Sequence, residues 1–318
     1  MTLVTRNSIA ITRTGRRAVP GRSRGLCAGF TALALALFAQ SANAGDLGYT
    51  LRGPYTPQYS TPSYSNWEGV YFGGQLGASS GNVNYANSLS SLTRFILRES
   101  LFQDTIPNWQ TMGKESVTHV NYGAFLGYNF YQWDDVVLGI EANYSRLDLD
   151  SKMQDSLARI LNDDTQAPSG HHYYFHATVG GAASVHITDI ATLRARAGWS
   201  AGQFLPYAFG GVAIGRANYF RTAFVSYWTE DKPDTTNPPT PPSPPPNFNY
   251  PPGVDPTGSK TEAQSNAIAY GVAAGLGVDV SILPNMFLRA EWEYVQFAPI
   301  HDIQVNINSG RVGLGLKF

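Results

Sequence analysis

Hydrophobic and polar residues alternate with a period of two along much of the chain after residue 66. Between Val117 and Phe130, most even-numbered residues are apolar or aromatic, whereas most odd-numbered residues are small or polar. The stretch Ala267–Val280 repeats this pattern, and glycine crowds its second face. Successive side chains of a β-strand point to opposite faces, so the pattern predicts two-faced strands. A glycine-rich face suits a narrow, curved interior better than open water.

Eight segments carry the pattern, at residues 67–79, 117–130, 136–148, 188–201, 204–218, 266–281, 285–298 and 303–318. Each exceeds the roughly 9–11 residues that a tilted strand needs to cross a bilayer. Long connections (loop one 80–116, loop two 149–187 and loop three 219–265) alternate with tight turns, as in bacterial outer-membrane barrels. We therefore predict an all-β fold: an eight-stranded antiparallel transmembrane up-and-down β-barrel over residues 66–318, with long extracellular loops.

Charged residues recur on the small or polar face of the predicted strands. They are Glu141, Arg194, Arg196, Arg289, Glu291, Glu293 and Arg311, together with Lys317 and, less clearly, Arg216. Eight strands enclose a lumen just wide enough for side chains to fill, and opposite charges can pair there. We predict a paired polar core, with a charged pore as the alternative. The apolar face of strand eight changes parity near Ser309-Gly310, which predicts a bulge.

Aromatic residues concentrate near the predicted strand ends, where membrane barrels carry interfacial girdles. They are Trp67, Tyr71, Phe130, Tyr131, Trp133, Trp199, Tyr207, Trp292 and Phe297. General strand propensity also favours aromatic residues, so this observation supports the barrel without deciding it.

The N-terminal region has the features of a secretory signal peptide. Six arginines precede an apolar run from Leu26 to Phe38, and Ala42-Asn43-Ala44 resembles a cleavage site. We expect cleavage after Ala44, which changes the net charge from −1 to −7 and removes the one cysteine. Residues 45–65 are rich in Gly, Pro, Ser and Tyr and are expected to form a periplasmic linker. The acidic mature chain does not suggest nucleic acid as a partner.

The three long loops suggest separate hypotheses. Eleven of the twenty prolines lie between Pro233 and Pro256 in loop three, which favours a stiff polyproline spacer over a recognition ligand. Apolar residues at helical spacing predict short helices at Ser91–Phe102 and Ser151–Leu161, or alternatively an adhesive patch.

His171, His172 and His176 suggest a metal or haem ligand loop, although ordinary polar loop histidines are the simpler interpretation. No hydrolase, zinc-protease or phosphate-loop motif occurs, so neither an enzyme nor a bound cofactor is expected.

Three motifs occur in the order found in one known family. The segment beginning at Asn66-Trp67, the pair of stretches around Leu193–Trp199 and Phe204–Ala213, and the ending Arg311–Phe318 resemble motifs of the alphaproteobacterial outer-membrane immunogenic, porin-like proteins. The resemblance implies an OmpA-type eight-stranded barrel in the cell outer membrane. It also implies that Phe318 is the recognition residue for the outer-membrane insertion machinery.

These observations together lead us to expect a non-enzymatic outer-membrane protein with a structural and surface-antigen role. A narrow porin for small solutes and a haem- or host-surface-binding module are the alternatives, and an outer-membrane hydrolase ranks last. Expected partners are outer-membrane lipids, lipopolysaccharide, the insertion machinery and periplasmic chaperones.

A closed barrel predicts heat-modifiable mobility in an SDS gel. The unboiled protein should migrate faster than the boiled protein, because a closed hydrogen-bonded barrel unfolds slowly in detergent until heated. Equal mobility of the two samples would contradict a barrel.

Overall fold

The computed structural model describes residues 66–133, 135–233, 254 and 258–318. Eight antiparallel strands follow one another around a closed barrel, and the last strand pairs with the first. They are β1 (Gly69–Asn84), β2 (Lys114–Trp133), β3 (Val136–Asn162), β4 (His171–Trp199), β5 (Phe204–Pro233), β6 (Ser259–Leu283), β7 (Met286–Phe297) and β8 (Gln304–Lys317). The predicted fold class is confirmed. The predicted leader 1–44 and linker 45–65 lie outside the described residues and remain predictions.

The strands have two very different lengths. β7, β8, β1 and β2 contain 12, 14, 16 and 20 residues, whereas β3 to β6 contain 27, 29, 30 and 25. The β3–β4 hairpin therefore continues through most of residues 149–187, expected as a loop, and only residues 163–170 connect its strands. β5 likewise runs on to Pro233, while the proline-rich stretch beyond it lies almost wholly outside the described residues.

The helix predicted at Ser151–Leu161 is wrong, because this segment is part of β3. Met153, Leu157 and Leu161 are four residues apart, and that spacing suits one face of a helix and one face of a strand equally well. Pairing with β4 decides between them, since Met153 lies opposite Ala183 and Leu161 opposite Phe175. In the described ranges, no helix is both long and apolar enough to cross a membrane.

The apolar side chains of the barrel wall change from the outer face to the inner face along the barrel axis. In the lower part apolar side chains face outward, as at Val120 (74% exposed) and Ile268 (62% exposed), and form the band expected to contact lipid. Higher up, apolar side chains such as Val185 and Val225 face inward and are fully buried. We call these parts the membrane section and the extracellular section.

β8 shows the reversal within one strand. Arg311 and Lys317 face inward in the membrane section, and Val305 and Ile307 face inward in the extracellular section. The pairing of β8 with β1 and β7 runs without a register shift, so the bulge predicted near Ser309-Gly310 is wrong. The strand keeps its parity while the interior changes from polar to apolar.

Loop one fills the interior of the extracellular section. It carries a short helix, α1 (Ser90–Ile96), and one turn of 3-10 helix (Ile106–Asn108). Leu92 and Ile96 are buried in one apolar cluster with inward residues of the long strands. The predicted helix thus exists in shortened form, and it packs against the inner face of the sheet.

Arg221 on β5 fixes the start of this helix. Its Nη1 donates to the carbonyl oxygen of Ser88 at 3.1 Å and to the hydroxyl of Ser91 at 2.9 Å. Arg221 is itself only 3% exposed and also pairs with Glu262 on β6. A buried guanidinium therefore connects loop one to the wall of the extracellular section.

The predicted aromatic girdle divides between the two sides of the wall. Phe130, Trp133, Trp199 and Trp292 are exposed on the outside, as expected. Trp67, Tyr71, Tyr207 and Phe297 are instead buried inside the barrel, so the girdle assignment is wrong for these four. The side chain of Tyr131 lies outside the described part.

Inward-facing glycines make room for the buried rings. A Cβ added at Gly127 would lie 2.2 Å from the ring of Tyr71, and one added at Gly277 would lie 2.5 Å from the ring of Tyr207. The glycine-rich inner face therefore reflects a lumen filled to contact distance.

The substitution Gly277→Ala should lower the free energy of unfolding by roughly 1–3 kcal/mol, because the added methyl group overpacks the Tyr207 ring. Urea titration of the barrel folded in detergent micelles measures the change. The matched control is Gly310→Ala on the outer face, where an added Cβ meets nothing within 4 Å. Equal effects of the two substitutions would contradict the packing explanation.

Candidate functional site in the barrel lumen

Eight charged side chains in the lumen of the membrane section are joined to one another by ion pairs. Seven of the nine lumen residues predicted from the sequence belong to this set, and the structure adds one more acid, Asp279. Four carboxylates face four guanidinium groups, so the set is electrically balanced. None of the eight residues is more than 5% exposed. We call this set the lumen network; it comprises Glu141, Arg194, Arg196, Asp279, Arg289, Glu291, Glu293 and Arg311.

Direct cross-strand neighbours form the first contacts of the lumen network. Glu141 lies opposite Arg194 on the β3–β4 pair, and the two form a salt bridge. Across β6 and β7, Arg289 Nε donates to Asp279 Oδ1 at 2.8 Å. The strand register alone therefore places each of these two acids beside an arginine partner.

Other ion pairs cross the lumen between strands that are not neighbours. Arg289 Nη1 donates to Glu141 Oε2 at 2.8 Å, and Arg194 Nη1 donates to Glu293 Oε2 at 2.9 Å. Arg196 Nη2 donates to Asp279 Oδ2 at 2.9 Å. These contacts join opposite walls, so the lumen network fills the cross-section of the barrel.

Two tyrosines complete the hydrogen bonding of the acids. The hydroxyl of Tyr71 donates to Glu141 Oε2 at 2.7 Å, and that of Tyr207 donates to Glu291 Oε2 at 2.8 Å. A buried carboxylate is stable only when its oxygens are paired and hydrogen-bonded. Both rings also make cation–π contacts with arginine, and Arg196 Cζ lies 4.0 Å from the Tyr207 ring centroid.

An aromatic cluster closes the lumen at its periplasmic end. Tyr71 and Trp67 contact Phe287 edge to face, with ring centroids 6.0 and 6.1 Å apart. Lys317 caps this cluster, since its Nζ lies 4.3 Å from the Trp67 ring centroid and donates to the carbonyl oxygen of Asn66. Lys317 therefore faces inward as predicted. Arg216 does not, because odd positions of β5 face inward at that level and Arg216 is exposed outside.

A neutral polar layer separates the lumen network from the apolar cluster above it. Gln75 Nε2 donates to Asn143 Oδ1 at 3.0 Å and lies 3.1 Å from Ser145 Oγ. At the same level, the hydroxyls of Ser79 and Ser309 are 2.8 Å apart. The interior thus passes from aromatic to charged, neutral polar and finally apolar layers.

The three candidate ligand histidines do not converge on one point. The side chain of His171 faces inward, is 3% exposed and lies 2.8 Å from Asp231 through Nδ1. His172 and His176 face outward on the same strand. His176 stacks on Trp228 with ring centroids 3.8 Å apart, and its Nε2 lies 2.9 Å from Glu230. Within the described ranges, no group of three or more His, Cys, Asp or Glu side chains could hold a metal ion.

Ionisation in the extracellular section is set by local partners. The hydrogen bond from His172 lowers the pKa of the Asp164 carboxyl, and the one from His176 lowers that of Glu230. Burial raises the pKa of Tyr85 to about 12. The hydroxyl of Tyr85, at the start of loop one, donates to the carbonyl oxygen of Ser151 at 2.9 Å.

Three lumen residues were not predicted from the sequence, but their cross-strand neighbours indicate their position. Asp279 occupies the glycine-rich face of β6, and the tight turn at Leu283–Asn285 places it directly opposite Arg289. Tyr71 and Tyr207 each face a glycine on the neighbouring strand, Gly127 and Gly277 respectively. Because Asp279 lies directly opposite the predicted lumen residue Arg289, its position in the hairpin marks it as a lumen residue.

Residues 30–318 match the family described as outer membrane protein beta-barrel domain, which covers most of the chain. The chain belongs to this outer-membrane β-barrel family. The barrel therefore lies in the outer membrane, as predicted. Among curated proteins, no sequence matches this chain.

Solved structures of other outer-membrane proteins are similar to this barrel. The attachment invasion locus protein Ail of Yersinia pestis is 12% identical, with a TM-score of 0.31, over 79% of this chain and 99% of Ail. Neisserial surface protein A is 14% identical, with a TM-score of 0.30, over 79% of this chain and all (100%) of that protein. OprG of Pseudomonas aeruginosa is 10% identical, with a TM-score of 0.31, over 79% and 96%. The family assignment rests on the sequence match alone.

The substitution Glu141→Gln should lower the free energy of unfolding by about 3–5 kcal/mol, because it leaves buried guanidinium charge without a full set of carboxylates. Urea titration of the barrel in lipid vesicles measures the loss. The matched control is Asp150→Asn, which removes an exposed ion pair with Lys152 and should cost less than about 1 kcal/mol. A small, equal loss for both would indicate that water solvates the lumen charges.

Proposed function

We propose that this outer-membrane barrel is a structural and surface-antigen protein, without enzymatic activity and without a conducting pore. The observation that carries the proposal is the continuous filling of the interior. The aromatic cluster, the lumen network, the neutral polar layer and the apolar side chains of loop one follow one another along the barrel axis, and the side chains that meet at each level are buried. A solute would have to break several of these contacts at once.

The absence of catalysis is supported by the state of the buried acids. All four carboxylates of the lumen network are ion-paired with arginine. A general acid or base needs a group free to exchange a proton with a substrate. The haem-binding alternative is weaker, because His171 and His172 point to opposite sides of the sheet.

The surface role is supported by the extracellular section. Four long strands carry a folded sheet with its own apolar interior well above the lipid-facing band. Outer-membrane lipids, lipopolysaccharide, the insertion machinery and periplasmic chaperones are its proposed partners, and membership of the alphaproteobacterial OmpA-type group belongs to the same proposal. Phe318 as the insertion signal is supported by its position, since its ring is 73% exposed and stacks on Phe72 at the outer surface.

The purified barrel should give no stable conductance steps in a planar bilayer, because the lumen is filled with paired side chains. Single-channel recording in salt solution measures this directly. The outer-face variant Leu314→Ala controls for leakage caused by a disturbed protein–lipid contact. Reproducible ohmic steps in the wild type would overturn the proposal and favour a narrow porin.

A further inference from the structure

A polar cleft lies on the outer surface of the short-stranded side of the barrel. Its volume is about 430 Å³, within the range of small-ligand sites. Side chains from four adjacent strands line it: Asn82, Asn84, Ser116, Tyr294, Gln304 and Asn306. No role in the fold or the lumen described above accounts for this cleft.

The register of the strands brings these side chains together. Asn82 on β1 lies opposite Ser116 on β2 and opposite Asn306 on β8. Two residues further along β1, Asn84 lies opposite Gln304. All of these positions share the outward face of the sheet, so their carboxamides form one continuous surface.

The chemistry of the cleft suits sugar hydroxyl groups. Asparagine is depleted in strands, so its recurrence on adjacent strands is unusual. Each carboxamide offers both donors and an acceptor, which matches a hydroxyl without requiring charge. Within the described ranges Asn306 has no side-chain hydrogen-bond partner. Asn82 Oδ1 accepts from the Ser116 hydroxyl and Asn84 Oδ1 from the Ala86 amide, so these two carboxamides have their Nδ2 donors to offer to a ligand, and Asn84 Nδ2 reaches Gln304 Oε1 only at 3.4 Å. Tyr294 adds an aromatic ring on which the apolar face of a pyranose can pack.

The height of the cleft identifies the occupant. On the same outward face of β1, Leu76 lies six residues below Asn82 and is 61% exposed within the lipid-facing band. Just above the cleft this side of the barrel stops, since β1 ends at Asn84 and β8 begins at Gln304. The cleft therefore opens where the outer leaflet changes from acyl chains to sugars, and its lining includes one residue of each charge, Lys114 and Glu115.

We propose that this cleft binds the sugar chain of an outer-leaflet glycolipid, with the carboxamides of Asn82 and Asn306 hydrogen-bonded to its hydroxyl groups. The inference deepens the proposed lipopolysaccharide partnership and rests on it. Sugar binding at the cleft does not depend on whether the lumen conducts. A conducting barrel would therefore contradict the proposed closed lumen without contradicting sugar binding at the cleft.

The test uses the full barrel folded in detergent and the deacylated core oligosaccharide of a rough lipopolysaccharide as the soluble probe. Isothermal titration should show one site in the wild type. The double variant Asn82→Thr/Asn306→Thr keeps strand-forming side chains and should bind about tenfold more weakly or worse, since two hydrogen bonds are lost. The matched control is Gln154→Thr, an exposed carboxamide on the outward face of β3, which should bind as the wild type does.

The other outcomes would contradict sugar binding at the cleft. No binding by the wild type, or equal affinity in the double variant and the wild type, overturns the proposal. If inorganic phosphate displaces the probe fully and Lys114→Ala abolishes binding while Asn82→Thr/Asn306→Thr does not, the site is one for phosphate and the proposal fails. Should the double variant not fold by the heat-modifiability criterion, Tyr294→Leu replaces it, with at least threefold weaker binding expected and unchanged binding overturning the proposal.

Discussion

The balance of charge inside the membrane section is the constraint on which the rest of the barrel depends. Four arginines and four acids lie in a space almost closed to water, where one unmatched charge would cost several kcal/mol. The network therefore requires a fixed strand register, because Glu141 meets Arg194 and Asp279 meets Arg289 only as direct cross-strand neighbours. A slip of one residue would move these charges to the lipid face.

The sharing of partners makes the network rigid across the lumen. Glu141 accepts from arginines on two strands and from Tyr71, so it holds three parts of the wall together. The aromatic cluster below and the neutral layer above have the same effect with weaker interactions. Closure of the barrel at its periplasmic end is thus a consequence of packing as much as of charge.

The sequence predicted the membrane section well and the extracellular section poorly, for one physical reason. In the membrane section each strand has an apolar outer face against lipid and a polar inner face, so alternation, inward charges and turn positions could all be read from the residues. In the extracellular section the faces exchange roles, and inward Met153 and Leu157 suggested a helix because their spacing fits both structures. Asp279 was missed because it is a single acid among glycines. The cleft could not be found at all, since it depends on the register of four strands.

The extension of the strands above the membrane determines which residues an antibody can contact. A flexible loop offers every residue to an antibody, whereas a sheet packed over an apolar interior offers every second one. Between Arg146 and Lys152 on β3, the outward residues are accessible, whereas the inward residues Leu147, Leu149 and Ser151 are buried by the packing. Surface variation in this barrel should therefore fall on alternate residues, so that a linear peptide copied from β3 would display the wrong half of its side chains.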